Sequence, residues 1–205
     1  MAAMTLLNPG HLLLKRRNDE PSWDKQSNYF VHGLREIRTK VLASAPPHQL
    51  NRAYELLLRA AAIELQRHLS LLDDTSLKTN LVLVRSAGKI EVVARSRPGS
   101  PIGIHYTHKP SGLAASRAMM ENRTVVATKI RDLPGHEHKP YNTVVATPIC
   151  DGVQAFGAMT ADSAESGAFA GREEAIDRIL RPYAAIILLT LPESARWVHC
   201  KDRWK

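Results

Sequence analysis

The sequence is poor in cysteine, in aromatic residues and in long apolar runs. Its two cysteines, Cys150 and Cys200, are too few for a disulfide framework. A cytoplasmic protein with reduced thiols is therefore expected. Phe, Trp and Tyr make up 5% of the chain, so the core must come mainly from Leu, Val, Ile and Ala. No apolar run reaches the ~18 residues of a membrane span, and no membrane association is expected. Lys15-Arg16-Arg17 follows the apolar part of Met1–Leu14 instead of preceding it, the wrong order for a secretory signal. Internal repeats and low-complexity tracts are also missing.

What is present is a normal apolar fraction, 44% of 205 residues. That suits one domain with an extension, or two small ones. The net charge is +8, and residues 75–160 carry most of it, with 11 Lys and Arg against 5 Asp and Glu. A basic field of this kind favours anionic partners, either a small molecule or nucleic acid.

Residues 1–28 hold Pro9, Gly10, Asn18, Asp19 and Pro21 without a sustained period, which reads as a partly ordered arm. Residues 29–44 fit a helix with Phe30, Leu34, Ile37 and Val41 on one side. Pro46-Pro47 closes this helical extension, 29–48. A second helix is expected over 49–72, where Leu56-Leu57-Leu58 widens the apolar face enough for two contacts. Lys78–Arg85 and Lys89–Arg97 read as two strands joined at Ala87-Gly88, the first without a polar face and so covered on both sides. Ser111–Asn122 fits a short helix capped by Ser111, and Thr124–Lys129 a short strand. The tail 192–205 is basic, with Trp197, Lys201, Arg203, Trp204 and Lys205.

The stretch 143–191 is the most regular. Thr143 to Ile149 is a β-branched run, Asp151-Gly152 suits a two-residue hairpin turn, and Val153 to Thr160 runs back. Ile176, Ile179, Leu180, Tyr183, Ile187 and Leu191 then form one helical stripe. Thr147-Pro148-Ile149, Asp151-Gly152, Phe156-Gly157-Ala158-Met159, Asp162, and Phe169 followed by Glu173-Glu174 together resemble the C-terminal half of a GAF domain. The resemblance covers residues 49–191 and implies an α+β fold. It would have an antiparallel sheet of about five or six strands, helices packed on one face and pocket loops on the other.

The resemblance also implies where a ligand would sit, between the sheet and the elements 105–122 and 131–141. Tyr106, Lys109, Ser111, Arg117, Met120, Lys139 and Tyr141 are the expected ligand-binding residues. Arg117 suits a carboxylate or phosphate through paired hydrogen bonds. Asp162-Ser163 stand where cyclic-nucleotide-binding members carry Asn-Lys, so the lysine of that motif is missing. The members that reduce free methionine sulfoxide use pocket cysteines, as do those that attach tetrapyrroles, yet residues 98–142 contain none. No enzyme activity and no cofactor are therefore expected. His105, His108, His136 and His138 lie at spacings that match no metal signature, and no metal site is expected.

The functional expectation is a regulatory ligand-sensing or protein-interaction domain without catalytic output, binding an anionic small molecule. The alternative is a nucleic-acid-binding regulator using the basic sheet and loop face. A homodimer through the N-terminal helices is also expected, since the stripe on 29–44 needs a cover.

Overall fold

The computed structural model describes residues 29–30, 32–37, 39, 50–71, 74–86, 89–97, 102, 104–107, 113–132, 137–151 and 155–191. The expected arm 1–28, the tail 192–205 and Cys200 lie outside them. Residues 29–30, 32–37 and 39 are helical and are called α1. The order then runs α2 (Asn51–His68), β1 (Lys78–Ser86), β2 (Lys89–Arg95), β3 (Ile104–Thr107), α3 (Ala114–Glu121), β4 (Val125–Ala127), β5 (Thr143–Cys150), β6 (Ala155–Ser163) and α4 (Glu173–Thr190).

The six strands form one antiparallel sheet in the order β3-β2-β1-β6-β5-β4. The α+β architecture expected from the sequence is the one observed. β1 and β6 lie at the centre, which explains why Leu81, Val82 and Leu83 are all apolar: both faces of β1 are covered. Helices α2 and α4 pack on one face. Their core holds Leu57, Leu58, Leu65, Ile176, Leu180 and Ile187, against Leu81, Val93, Val145 and Met159 from the sheet. The other face carries a smaller cluster, where Ala115, Ala118 and Met119 of α3 meet Val82, Ile90, Val92 and Ala146.

The wide apolar face of α2 has a simple use. Leu56, Leu57 and Leu58 are all buried, one side of the helix meeting the sheet and the other meeting α4 and α1. Several polar groups inside this layer pair across it. Thr79 Oγ1 donates to Leu58 O at 2.6 Å, Tyr183 OH donates to Glu64 at 2.6 Å, and the Tyr54 and Thr190 hydroxyls lie 2.7 Å apart. Pro182 sits inside α4 on its exposed side, where a freed carbonyl meets water.

α1 folds back over its own molecule. Phe30 meets Tyr183 edge-on at 5.6 Å between ring centroids, and Ile37 joins the main core. Gly33 makes the close approach possible, since a Cβ there would lie 3.0 Å from Leu57 Cδ2. Of the stripe from which a homodimer was expected, Ile37 is buried and Phe30 and Leu34 are half-buried within the chain, and Val41 lies outside the described residues, so that argument for self-association is weakened and the homodimer finds no support.

Three local expectations change. β5 ends at Cys150 and β6 begins at Ala155, so the connection is longer than a two-residue Asp151-Gly152 turn. α3 starts at Ala114 after Leu113, without a side-chain cap, and Ser111 lies outside the described residues. Ile104–Thr107, where the sequence is ambiguous between elements, supplies β3 at the sheet edge.

Candidate functional site

A cavity of about 150 Å³ opens on the sheet face opposite α2 and α4. Its floor is the sheet itself. Period-2 alternation sends Lys78, Asn80 and Val82 of β1 to this face, with Thr160 and Asp162 of β6 beside them. Val144 of β5, opposite Asp162, extends the floor. The start of α3 at Leu113, Ala114 and Ala115 covers one side, and Ile130, Pro140 and Tyr141 cover another.

Arg95 reaches the cavity through a β-bulge. In β2, Val92 pairs with Val82, yet Ala94 pairs with Leu81, so Val93 is the extra residue. The bulge turns Arg95 onto the face of its partner Asn80. Plain alternation from Ile90 and Val92 would send Arg95 to the helix side.

The polar end is tightly organised. Asn80 is 5% exposed. Its Nδ2 donates to Thr160 Oγ1 at 3.1 Å and to Asp162 Oδ2 at 3.1 Å. The carboxylate fixes the amide's orientation, since only the NH₂ group can face it. Asn80 Oδ1 and Arg95 Nε are then left buried, with no hydrogen-bond partner among the described residues. Buried polar groups are nearly always satisfied, so two orphans on facing residues are unusual. Burial pushes the Asp162 carboxyl up to about 6, against the pull of the Asn80 hydrogen bond and the charges of Arg95 and Lys78. An anionic ligand of the kind expected would therefore meet a carboxylate as well as two cations.

Of the residues expected to bind ligand, Tyr141 lines the cavity. Tyr106 stands on β3 opposite Ile90 of β2, and Lys109 and Ser111 lie outside the described residues. Arg117 directs Nε to Glu121 at 3.4 Å on the exposed side of α3. Met120 is 46% exposed, and the Lys139 carbonyl accepts from Arg131 Nε at 3.0 Å. The sequence reading missed Asn80, Arg95, Thr160 and Asp162, which are strand residues. The signal available was the i, i+2 spacing of polar side chains, Lys78 with Asn80 and Thr160 with Asp162, in otherwise apolar strands.

His138 is exposed, whereas His108 and His136 lie outside the described residues. Among the described residues no group of three or more His, Cys, Asp or Glu side chains is placed to hold a metal. Cys150 is half-buried at the end of β5 and does not line the cavity. Among the described residues, no helix is long and apolar enough to cross a membrane.

No protein-family model matches the sequence, and no curated protein matches it. Solved structures do. The phycoerythrobilin-bound GAF domain from a cyanobacterial phytochrome is 12% identical, covers 80% of this chain and 93% of its own, and superposes with a TM-score of 0.50. The fold is GAF-like. The phycocyanobilin-bound GAF domain from a cyanobacterial phytochrome is similar as well, at 13% identity over 78% of this chain and 94% of that one, TM-score 0.49. So is the type II free methionine-R-sulfoxide reductase from Thermoplasma acidophilum, at 16% identity over 65% of this chain and 94% of that one, TM-score 0.44. This last GAF-like neighbour corrects one expectation. An enzyme stands among the structures similar to this chain, so the exclusion of enzyme activity, and of catalytic output with it, is withdrawn. The alternative of a nucleic-acid-binding regulator finds no support among these neighbours.

Proposed function

We propose that this GAF-like domain is a small-molecule sensor whose ligand occupies the cavity under α3 and regulates a partner protein. One observation supports this reading above the others. Asn80 and Arg95 line a pre-formed cavity, and each carries a buried polar atom, Oδ1 and Nε, without a hydrogen-bond partner among the described residues. A ligand able to satisfy both would recover what an unpaired buried group costs, about 1–3 kcal/mol each. The site is concave and mostly apolar, with a few convergent polar groups, as small-molecule sites are.

The same floor strands connect the cavity to the opposite layer. Thr79, next to Asn80, hydrogen-bonds α2 through Leu58 O, and α2 carries α1 on its outer side. A ligand that stiffens β1 and β2 thereby acts on the helices that a partner protein would contact.

Native mass spectrometry of freshly purified protein tests the proposal. The expected result is a small-molecule mass excess that disappears on denaturation and is absent from Arg95→Met protein. An empty native protein, together with no thermal response to any member of a metabolite library, would sink it.

A further inference from the structure

We propose that the cavity recognises a compact, neutral molecule bearing an amide-type edge, a carbonyl acceptor beside an N–H donor, carried on a small apolar body. This rests on the reading of the cavity as a ligand site and adds the chemistry of the ligand.

The two orphan atoms dictate the edge. Arg95 Nε carries a hydrogen and needs an acceptor, whereas Asn80 Oδ1 is an acceptor and needs a donor. The two residues are direct cross-strand partners, a relationship that places Cβ atoms about 5 Å apart. One small group can serve both. A carboxylate offers acceptors only, and an ammonium or amidinium offers donors only, so either leaves one orphan unpaired. An amide edge presents one of each, side by side in a plane.

Charge favours the neutral form. Inside the cavity Arg95 and Asp162 offset one another. Lys78 is half-buried and also borders an outer groove with Arg59 and Arg97, so its charge is shared between the cavity and that groove. A neutral ligand leaves the Arg95–Asp162 balance intact. An anion is pressed against Asp162 and a cation against Arg95, and burying like charges together is costly.

Size sets the body. A cavity of about 150 Å³ matches an engineered protein cavity known to take up benzene. Val82, Ile90, Val92, Leu113 and Val144 supply apolar walls for such a ring. A tetrapyrrole or a nucleotide is several times too large.

Three isosteric probes decide the matter: benzamide, benzoate and benzamidine, titrated separately into the full chain and followed by backbone amide chemical shifts. Benzamide is expected to bind at least tenfold more tightly than either charged analogue at pH 7.5, with shifts centred on β1, β2 and β6. Asn80→Leu and Arg95→Met should each weaken benzamide at least tenfold, whereas Arg117→Ala should leave it unchanged. Should a variant fail to fold, the ranking of the three probes on the unaltered protein still gives the answer. Tightest binding by benzoate, strengthening as pH falls through 6, or tightest binding by benzamidine, overturns the amide edge and leaves the ligand site standing. Binding of none of the three overturns it too. If native mass spectrometry then finds a bound small molecule, only this inference falls; if it finds none and no member of the metabolite library gives a thermal response, the sensor reading falls with it.

Discussion

Asn80 and Arg95 stand directly opposite one another on β1 and β2, both on the cavity face, because Val93 is bulged out of register between them. Deleting Val93 should therefore leave a regular strand in which Ala94 still faces Leu81 and Arg95 still faces Asn80 on the cavity side. We expect a loss no larger than that of one buried valine side chain, about 1.5–3 kcal/mol. Urea denaturation checks this; a loss of about 3–5 kcal/mol, the cost of an uncompensated buried charge, would show that Arg95 had turned to the helix side.

Asp162 makes stability depend on pH in an unusual direction. Its folded-state pKa is raised, from 3.8 to about 6, so the native state holds its proton longer than the unfolded chain does. That contribution is fully present below about pH 4 and is lost as pH rises through 6. The shift corresponds to at most about 3 kcal/mol. Asp162→Asn should match the parent below pH 4 and exceed it in stability above pH 6, as removal of a costly functional charge often does. Denaturant melts of both proteins at pH 4, 5, 6 and 7.5 give the difference. A less stable Asp162→Asn protein at pH 7.5 would mean that the ionised carboxylate is well solvated.

Asp177 behaves in the opposite sense. Burial would raise its carboxyl, but the hydrogen bonds from Arg181 and Thr124 outweigh it and hold the pKa below the usual carboxylate range. Its contribution is present above the unfolded pKa and disappears as pH falls through the lowered folded value. Asp177→Asn should flatten this part of the acid limb, cost under about 2 kcal/mol at pH 7, and cost nothing in strong acid. An undiminished difference between the two proteins at pH 2 would refute the assignment.

Gly157 admits no side chain. A Cβ there would lie 2.2 Å from Val82 O and 3.1 Å from Leu83 Cα, both backbone atoms of the central strand β1. Gly157→Ala should destabilise by about 3 kcal/mol or more, the upper range for overpacking. A thermal midpoint within a degree or two of the parent would show that the strands separate more easily than the packing implies.

Gly33 plays a similar part for α1, but against a side chain, Leu57. Gly33→Val should push α1 off α2 while the sheet keeps its structure. Hydrogen exchange should speed up over residues 29–39 and stay unchanged in β1 and β6. Protection at 29–39 equal to the parent's would show that α1 docks without needing the small residue.

The helices and central strands were legible because their periods are strong: Ile176 to Leu191 at helical spacing, and the apolar run of β1 that only a two-sided burial explains. The cavity was legible in place but not in residues. The expected residues lie on the covering segments, from which Tyr141 reaches the cavity, because loops usually carry function. The floor was overlooked for two physical reasons. A bulge cannot be seen in a single strand, since it is a relation between two, and without it Arg95 counts to the wrong face. Asn80 and Thr160 are distant in sequence and become neighbours only when β6 pairs with β1. The argument for a dimer overlooked the same kind of information: Phe30 meets Tyr183, a contact no local pattern encodes.

The central position of β1 and β6 has a consequence for how the molecule comes to exist. Lys78 to Leu83 pair with Gly157 to Asp162, so the two halves of the sheet cannot join until nearly all of the GAF-like domain has left the ribosome. Until then β1 and β5 each present an unpaired, strongly apolar edge. Such edges invite mispairing, and the long loop to be closed slows the step that would cover them. Birth, more than the mature state, is the moment of greatest risk for this chain, and a small molecule that knits β1, β2 and β6 together would also hasten its passage through it.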